Sequence, residues 1–475
     1  MTQTPIKVTN QRYRLGYHLM PASGWMNDPN GFSYFKGYYH LFYQYYPYAS
    51  EWGPMHWGHA RSKDLIHWET LPVALKPTRP QDGCFSGSAV VYQDKLWLIY
   101  TGHHVLDAEK DINRQDQNLA YSTDGIHFEK YAGNPIIAHA PEEESSADFR
   151  DPKVWQEDDH FKMVVGSRDQ AGLGRVLLYD SQDLKHWEYE GTVSGAKSVD
   201  EEGFMWECPD FFRLNGQDVL LTSPQGIKAT KEQFLNQHNT GYFVGQYSTA
   251  DKQLERGSFT ELDNGHDLYA TQTLVAPDGR RVMVAWMNAW DSPMTEKTDG
   301  WCGAITLPRE LTIKNNRLYQ HPVAEALSLR EAEVINQEVA EPLNCSLSRH
   351  TEVKLDLNGL PTGTILKLAD KNNAGFSIEA DQDGRHLILT RNSDPENKRY
   401  AVLDATDEKL SLRIFIDSSS AEIFVNDGEV VFTERIYWQD KPVLSLNGTT
   451  GHLQAFELSS QTNSYKQVKE MIDYE

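Results

Sequence analysis

Along the first two thirds of the chain, apolar positions recur in one phrase. A tight or polar cluster is followed by a β-branched and aromatic run, a polar turn and a second such run. The phrase appears as "NDPNGFSYFKGYYHLFYQYYP", "FSGSAVVYQDKLWLIYTGH", "RDPKVWQEDDHFKMVVGS", "ECPDFFRLNGQDVLLTSPQG" and "YATQTLVAPDGRRVMVAWM". Each copy has the pattern of a β-hairpin. The residues leading the copies are Asp28, Ser86, Asp151, Glu207 and, less clearly, Tyr269, which are 58, 65, 56 and 62 positions apart. A second phrase, Ser-x-Asp followed by His, an aromatic residue and Glu, recurs around Asp64, Asp124 and Asp183 at nearly the same step. Two independent signals of one period mark a structural repeat.

Units of this length hold four short strands each. Five all-β units predict a five-bladed β-propeller over residues 1–325, in which equivalent residues of successive blades converge at one mouth of a central channel. A solenoid would spread the same residues along a line. After about residue 320 the pattern changes. Residues 326–345 lack strand alternation and predict a linker or short helix. From 346 to 475, alternating runs joined by Asn-Gly and Asp-Gly turns predict an antiparallel β-sandwich without a cluster of reactive residues. The fold class is all-β.

Net charge is −23. That charge repels phosphate backbones and anionic lipid, so nucleic acid and membranes are not expected partners. The early residues carry no apolar run of signal-peptide length, and no segment approaches a membrane span. The four cysteines, Cys84, Cys208, Cys302 and Cys345, show no metal or disulfide spacing. These features predict a cytoplasmic protein with reduced thiols and no metal or cofactor, and they leave monomer and homodimer open. The 12 Trp and 23 Tyr suit a protein that packs sugar faces on rings, although most of them are expected in the core.

Asp28, Asp151 and Glu207 come from three different blades, flanked by Pro or Trp rather than by other charges. Carboxylates brought together bind a hard cation or cleave glycosides. The nearby Trp25, Trp52, Trp57, Trp206 and Trp286 favour a sugar. Glu207, between Trp206 and Cys208-Pro209, has the more apolar sequence neighbours and suits a protonated acid. Asp28, between Asn27 and Asn30, suits an ionised nucleophile.

In order and spacing, "WMNDPNG", "FSGSAV", "FRDPKV", "WECPD" and "LRIFIDSSSAEIFVNDGE" resemble the motif series of glycoside hydrolase family 32, the invertases and related β-fructofuranosidases. The resemblance spans about His18 to Tyr437. It implies a five-bladed propeller followed by a β-sandwich, and hydrolysis of terminal β-D-fructofuranosides such as sucrose or sucrose-6-phosphate with retention through a covalent fructosyl-enzyme. It further implies Asp28 as nucleophile, Glu207 as general acid/base and Asp151 as transition-state stabiliser. Asn27, Gln44, Trp52, Phe85, Ser86 and Arg150 would line the fructose subsite. Trp25 is grouped with them, and either Trp286 or Trp290 joins them.

Other features have simpler readings. His56 and His59 in "HWGHA" lack a third metal ligand, and Cys208 lacks a His-Asp partner and reads as a packing residue that tunes its neighbour. "PEEESSAD" reads as a solvated loop, with the border of the leaving-group site as the alternative, and "AGLGR" reads as a turn. A phosphate on the leaving glucose would need a cation, for which Arg168, Lys228 and His266 are the candidates.

Overall fold

The structure is a computed structural model describing residues 4–339, 342–359, 363–381, 386–403, 409–447 and 450–465. Five antiparallel sheets stand around an axis. Their innermost strands are Gly24–Phe35, Glu144–Glu157, Met205–Leu214, Tyr269–Val275 and, in the second sheet, Gly83–Tyr92. Each inner strand neighbours that of the next blade, and the fifth returns to the first, so the ring closes. The short strand Trp301–Cys302, reached after the fifth blade has begun, pairs in parallel with Gly24 and Trp25 of the first. This joins the two ends of the ring by backbone hydrogen bonds.

The blades adhere through five apolar clusters, which explains why the repeat carries so many aromatic residues. Phe42, Trp57 and Leu75 of blade 1 meet Leu96, Leu98 and Tyr100 of blade 2. Trp97 and Ile99 meet Phe149 and Met163. Val164 and Val176 meet Trp206 and Phe243. Phe212 and Leu221 meet Met283 and Leu311. Met26 and Tyr43 close the circle against Val282 and Val284. Burying a large side chain of this kind contributes roughly 1.5–3 kcal/mol. The second repeated phrase is a turn device: Asp64 Oδ1 accepts the backbone N–H groups of Ile66 and His67, and Oδ2 holds His67 Nδ1 at 2.8 Å. Asp124 and Asp183 repeat it.

Two six-stranded sheets form the sandwich that follows. The five-bladed propeller followed by a β-sandwich is therefore as the sequence predicted. In Leu410–Asp417 and Ser420–Val425 nearly every residue is buried, because this sheet is covered on both faces. Ile414 and Ile423 point into the sandwich, whereas Phe415 and Phe424 pack on the propeller. Beside them, His18 is held between Asp417 (2.8 Å) and Glu422 (2.7 Å), and Arg309 reaches Glu422 at 2.5 Å and Asp263 at 3.1 Å.

The stretch expected to be a linker is a correction. Ala324–Leu329 is a 3-10 turn, and Arg330–Val339 is a strand paired with Gly451–Leu458 in the sandwich. Its side chains are mostly exposed, so it has no apolar period to read.

Candidate active site

Each inner strand breaks register with its neighbour at one equivalent point, besides further breaks between Asn30 and Ser33 in the first and between Glu144 and Phe149 in the third. The equivalent breaks fall between Met26 and Pro29, Phe85 and Gly87, Arg150 and Lys153, Glu207 and Asp210, and Tyr269 and Thr271. A bulge turns the extra residue out of the ladder and re-aims its side chain. The residues left out are Asn27 and Asp28, Ser86, Asp151 and Pro152, Cys208 and Pro209, and Ala270. Asp151 (φ 66°), Cys208 (φ 48°) and Ala270 (φ 50°) adopt left-handed backbone there, costly for residues other than glycine. The Asp-Pro pair therefore opens its hairpin because a bulge, not a pleated strand, is required.

This geometry shifts one step of the sequence alignment. Cys208, not Glu207, occupies the place of Asp151, and Ala270 rather than Tyr269 follows it in the fifth blade. Glu207 and Tyr269 instead match Arg150, one residue before the bulge. The channel mouth thus has two tiers.

In the bulge tier, Asp28 Oδ2 accepts the Ser86 hydroxyl at 2.6 Å, and Oδ1 accepts Asn27 Nδ2 at 2.9 Å. Asn27 Oδ1 in turn accepts Trp25 Nε1 at 2.7 Å. The Cys208 thiol lies 3.7 Å from Asp28 Oδ2 and 3.6 Å from Asp151 Oδ2, and the Cys208 N–H donates to Asp151 at 2.9 Å. In the other tier, Glu207 Oε1 accepts Arg150 Nε at 2.9 Å. Its Oε2 accepts Tyr269 Oη at 2.5 Å and Gln225 Nε2 at 2.8 Å.

Three carboxylates so placed cannot all ionise freely. Asp151 is pushed up to about 7, first by burial and then by the Glu207 charge, with Arg150 pulling it back. Burial also raises Asp28, opposed by the Ser86 hydrogen bond. Burial is again the first cause that pushes the Cys208 thiol and the Tyr269 phenol well up, so both remain protonated donors. Glu207 does not have the apolar surroundings its sequence neighbours suggested, because its carboxylate sits among Arg150, Gln225 and Tyr269.

The aromatic residues divide. Trp52 is 49% exposed at the rim and stands edge-on to Phe85, which stacks on His103 at 4.2 Å. Trp290 is partly exposed and stacks on Trp25 at 6.0 Å, whereas Trp286 is fully buried behind both. Gln44 is buried and donates to Cys84 O. Trp57 and Trp206 are corrections: their rings are core residues between blades, with the indole N–H groups tied to Phe85 O and Glu202 O.

The acidic loop is also less solvated than expected. Glu144 is buried on the Ser167 hydroxyl, and Asp148 pairs with Arg150 at 3.1 Å and Arg168 at 2.6 Å, next to the mouth. Lys228 is exposed and pairs with Asp200. His266 is excluded from the mouth, since it is buried on Glu434 of the sandwich. His59 is buried against His40, and His56 turns to Pro54 O. "AGLGR" is the tip of a hairpin.

Sequence reasoning gave no role to Tyr269 beyond leading a repeat, and it missed Gln225 and His103. The repeat itself pointed to Tyr269. Gln225 lies on the second strand of its blade, where no motif marks it.

Comparison with known proteins gives a consistent picture. Residues 18–322 match the glycosyl hydrolases family 32 N-terminal domain, and residues 346–467 match the glycosyl hydrolases family 32 C-terminal domain. The chain is 44% identical over 449 residues to a sucrose-6-phosphate hydrolase of Escherichia coli, covering 92% of each. It is 42% identical to a raffinose invertase of Escherichia coli, again over 92% of each. A mutant Bombyx mori GH32 beta-fructofuranosidase in complex with sucrose superposes with a TM-score of 0.89 at 39% identity, covering 96% of each chain.

Proposed function

Since the chain belongs to glycosyl hydrolase family 32 and is a glycoside hydrolase, we infer that it removes terminal β-D-fructofuranosyl residues from sucrose-like substrates. In this reading Asp28 is the nucleophile. Its oxygen attacks the anomeric C2 as the C2–O bond to the leaving sugar breaks, and Glu207 delivers its proton to the departing oxygen. Glu207 then takes a proton from water, whose oxygen displaces Asp28 from C2, and configuration is retained. Asp151 accepts hydrogen bonds from fructose hydroxyls and opposes the positive charge that develops at C2.

The observation that carries the reading is the two-tier arrangement. Asp28 has both oxygens oriented by Ser86 and Asn27, while Glu207 stands one tier away at the equivalent of Arg150, held by three donors. Trp52, Phe85 and Trp290 supply the faces on which sugar rings pack, with the buried Trp25 stacked behind Trp290, and Arg150 orients Glu207. Trp286 and Gln44 support this lining from behind. Cytoplasmic residence is part of the proposal. It is supported by four free cysteines, Cys84, Cys208 and Cys302 buried and Cys345 partly so. Among the described residues no helix is long and apolar enough to cross a membrane.

The test is kcat/KM for sucrose, sucrose-6-phosphate and a short fructan, measured side by side with product analysis. Release of free fructose supports hydrolysis. Growth of oligosaccharides at high sucrose would assign fructosyl transfer instead, and binding without glucose release would assign a lectin-like role.

A further inference from the structure

The axial channel has a second mouth. The inner strands that begin at the carboxylates end, on the opposite face, around a cavity of about 710 Å³. All five contribute, through Tyr34, Val91, Trp155, Phe211 and Val275 among others. From Ser86 at the front to Val91 at the rear is five residues, roughly 15–17 Å of strand. The cavity is thus separate from the site proposed above.

Its rim is apolar and open to solvent: Tyr34 is 38%, Val91 40% and Val275 56% exposed. Its floor is charged. Lys153 Nζ lies 3.0 Å from Asp210 Oδ2 and 2.5 Å from Thr273 O. The same Asp210 oxygen accepts the N–H and the hydroxyl of Thr273 at 2.9 and 2.8 Å. Arg281 places its guanidinium carbon 4.2 Å from the centre of the Phe212 ring and donates Nη1 to Thr273 Oγ1 at 3.1 Å. Among the described residues no carboxylate lies within ion-pair distance of Arg281. Lys153 and Arg281 therefore share the carboxylate of Asp210, while Lys162 and Arg213 face Glu157, Glu190 and Asp218 elsewhere on the lining, so Arg281 is the cation left without a carboxylate in contact on this floor. Burial weakens the hold of both Lys153 and Arg281 on their protons. Asp210 Oδ1 is buried without a hydrogen-bond partner.

A partly buried guanidinium without a carboxylate in contact gains from a counter-charge that meets it. A planar guanidinium with free donors suits an oxyanion. Aromatic and aliphatic walls suit an apolar body behind that oxyanion. The geometry points to a second ligand site at this rear mouth, which takes a small organic oxyanion, carboxylate or phosphate ester, with its charged end on Arg281 and its apolar part against the rim. A hydroxyl beside the charged end would also satisfy Asp210 Oδ1.

Calorimetric titration of the full chain with benzoate, phenyl phosphate and benzyl alcohol, at constant ionic strength, tests this. Saturable binding of benzoate or phenyl phosphate is expected, but none of the neutral alcohol. Whichever anion binds more tightly identifies the carboxylate or the phosphate ester as the preferred head group. Arg281→Gln is expected to weaken binding about tenfold or more. Val275→Trp, which leaves Arg281 in place and fills the mouth, should do the same if Arg281→Gln perturbs folding. Saturating fructose, which occupies the front site, should leave binding unchanged. No saturable binding of either anion, equal affinity in both variants, or displacement by fructose would each overturn the proposal. None of these outcomes bears on the carboxylate assignments, which are read from sucrose turnover.

Discussion

Arg150 and Glu207 hold equivalent positions in neighbouring blades, and their side chains meet at 2.9 Å across the gap between blades. The ion pair links the third blade to the fourth at the channel mouth. It also sets the orientation of Glu207, which is the preorganisation that the proposed acid/base role would need. Replacing Arg150 by Gln should lower kcat about 10–100-fold, because a hydrogen bond to a charged group contributes roughly 1.5–3 kcal/mol. Arg150 also opposes the raised pKa of Asp151. The acidic limb of kcat/KM, below which Asp151 is neutral, should therefore move to higher pH in the variant. A pH–rate profile reads both effects, and an unmoved limb would assign Arg150 a packing role only.

The shared proton of the carboxylate cluster gives a second prediction. Asp151 is raised to about 7 by burial and by Glu207, so the free protein holds a proton in the site below that pH and loses it above. Asp151 opposes the charge at C2 only when ionised, so kcat/KM should fall as pH drops through about 7. Asp151→Asn removes a like charge, which makes the remaining carboxyls easier to ionise. Its residual activity should be lower by about 10²-fold or more, without the acidic limb near 7. An acidic limb that stays near 7 would show that Asp151 is not the group titrating there.

Stability at high pH is expected to depend on His18. Its imidazole is fully buried between Asp417 and Glu422, whose hydrogen bonds and charges outweigh the cost of burial and raise it to about 9. The folded state therefore holds the proton more tightly than the unfolded chain, in which His titrates near 6.5. This contribution, about 3 kcal/mol, is complete below about pH 6.5 and disappears as pH rises through about 9. Urea midpoints measured from pH 6 to 10 should fall across that window. In His18→Gln the fall should be absent, with stability lower throughout because Asp417 loses its charged partner. A parallel fall in both proteins would contradict the assignment.

Much of this could be read in the sequence because propeller repeats place one marked residue per blade at the axis. Asp28, Ser86 and Asp151 stand out by spacing alone, and all three occupy bulges. The fourth position could not be read correctly. Glu207 is a carboxylate and Cys208 is not, so alignment by chemistry chose Glu207, while the backbone places Cys208 beside Pro209 in the bulge. Trp57 and Trp206 looked like sugar-facing rings for a related reason: sequence shows which residues neighbour a motif, not which face of an inner strand they take. His266 and the Asp417–Glu422 pair depend on contacts between residues well over a hundred positions apart, which no local pattern encodes.

The rim bears on substrate choice. Of the candidate cations for a leaving-group phosphate, Arg168 is engaged by Asp148 at 2.6 Å, Lys228 is exposed beside Asp200, and His266 is at the domain interface. With a net charge of −23, a dianionic phosphate approaches against the field. The expected outcome is a higher kcat/KM for sucrose than for sucrose-6-phosphate. Asp148→Asn, which releases Arg168, should narrow the gap. A preference for the phosphate in the parent chain would reverse this reading.

The central claim is that Asp28 carries the fructosyl group. A Glu207→Gln chain mixed with β-D-fructofuranosyl fluoride, which needs no acid for departure, should stall after the first step because no base activates water. Intact-protein mass spectrometry should show one anhydrofructose unit added, and peptide mapping should locate it on Asp28. An adduct on Asp151 or elsewhere, or turnover with inverted product and no adduct, would contradict it.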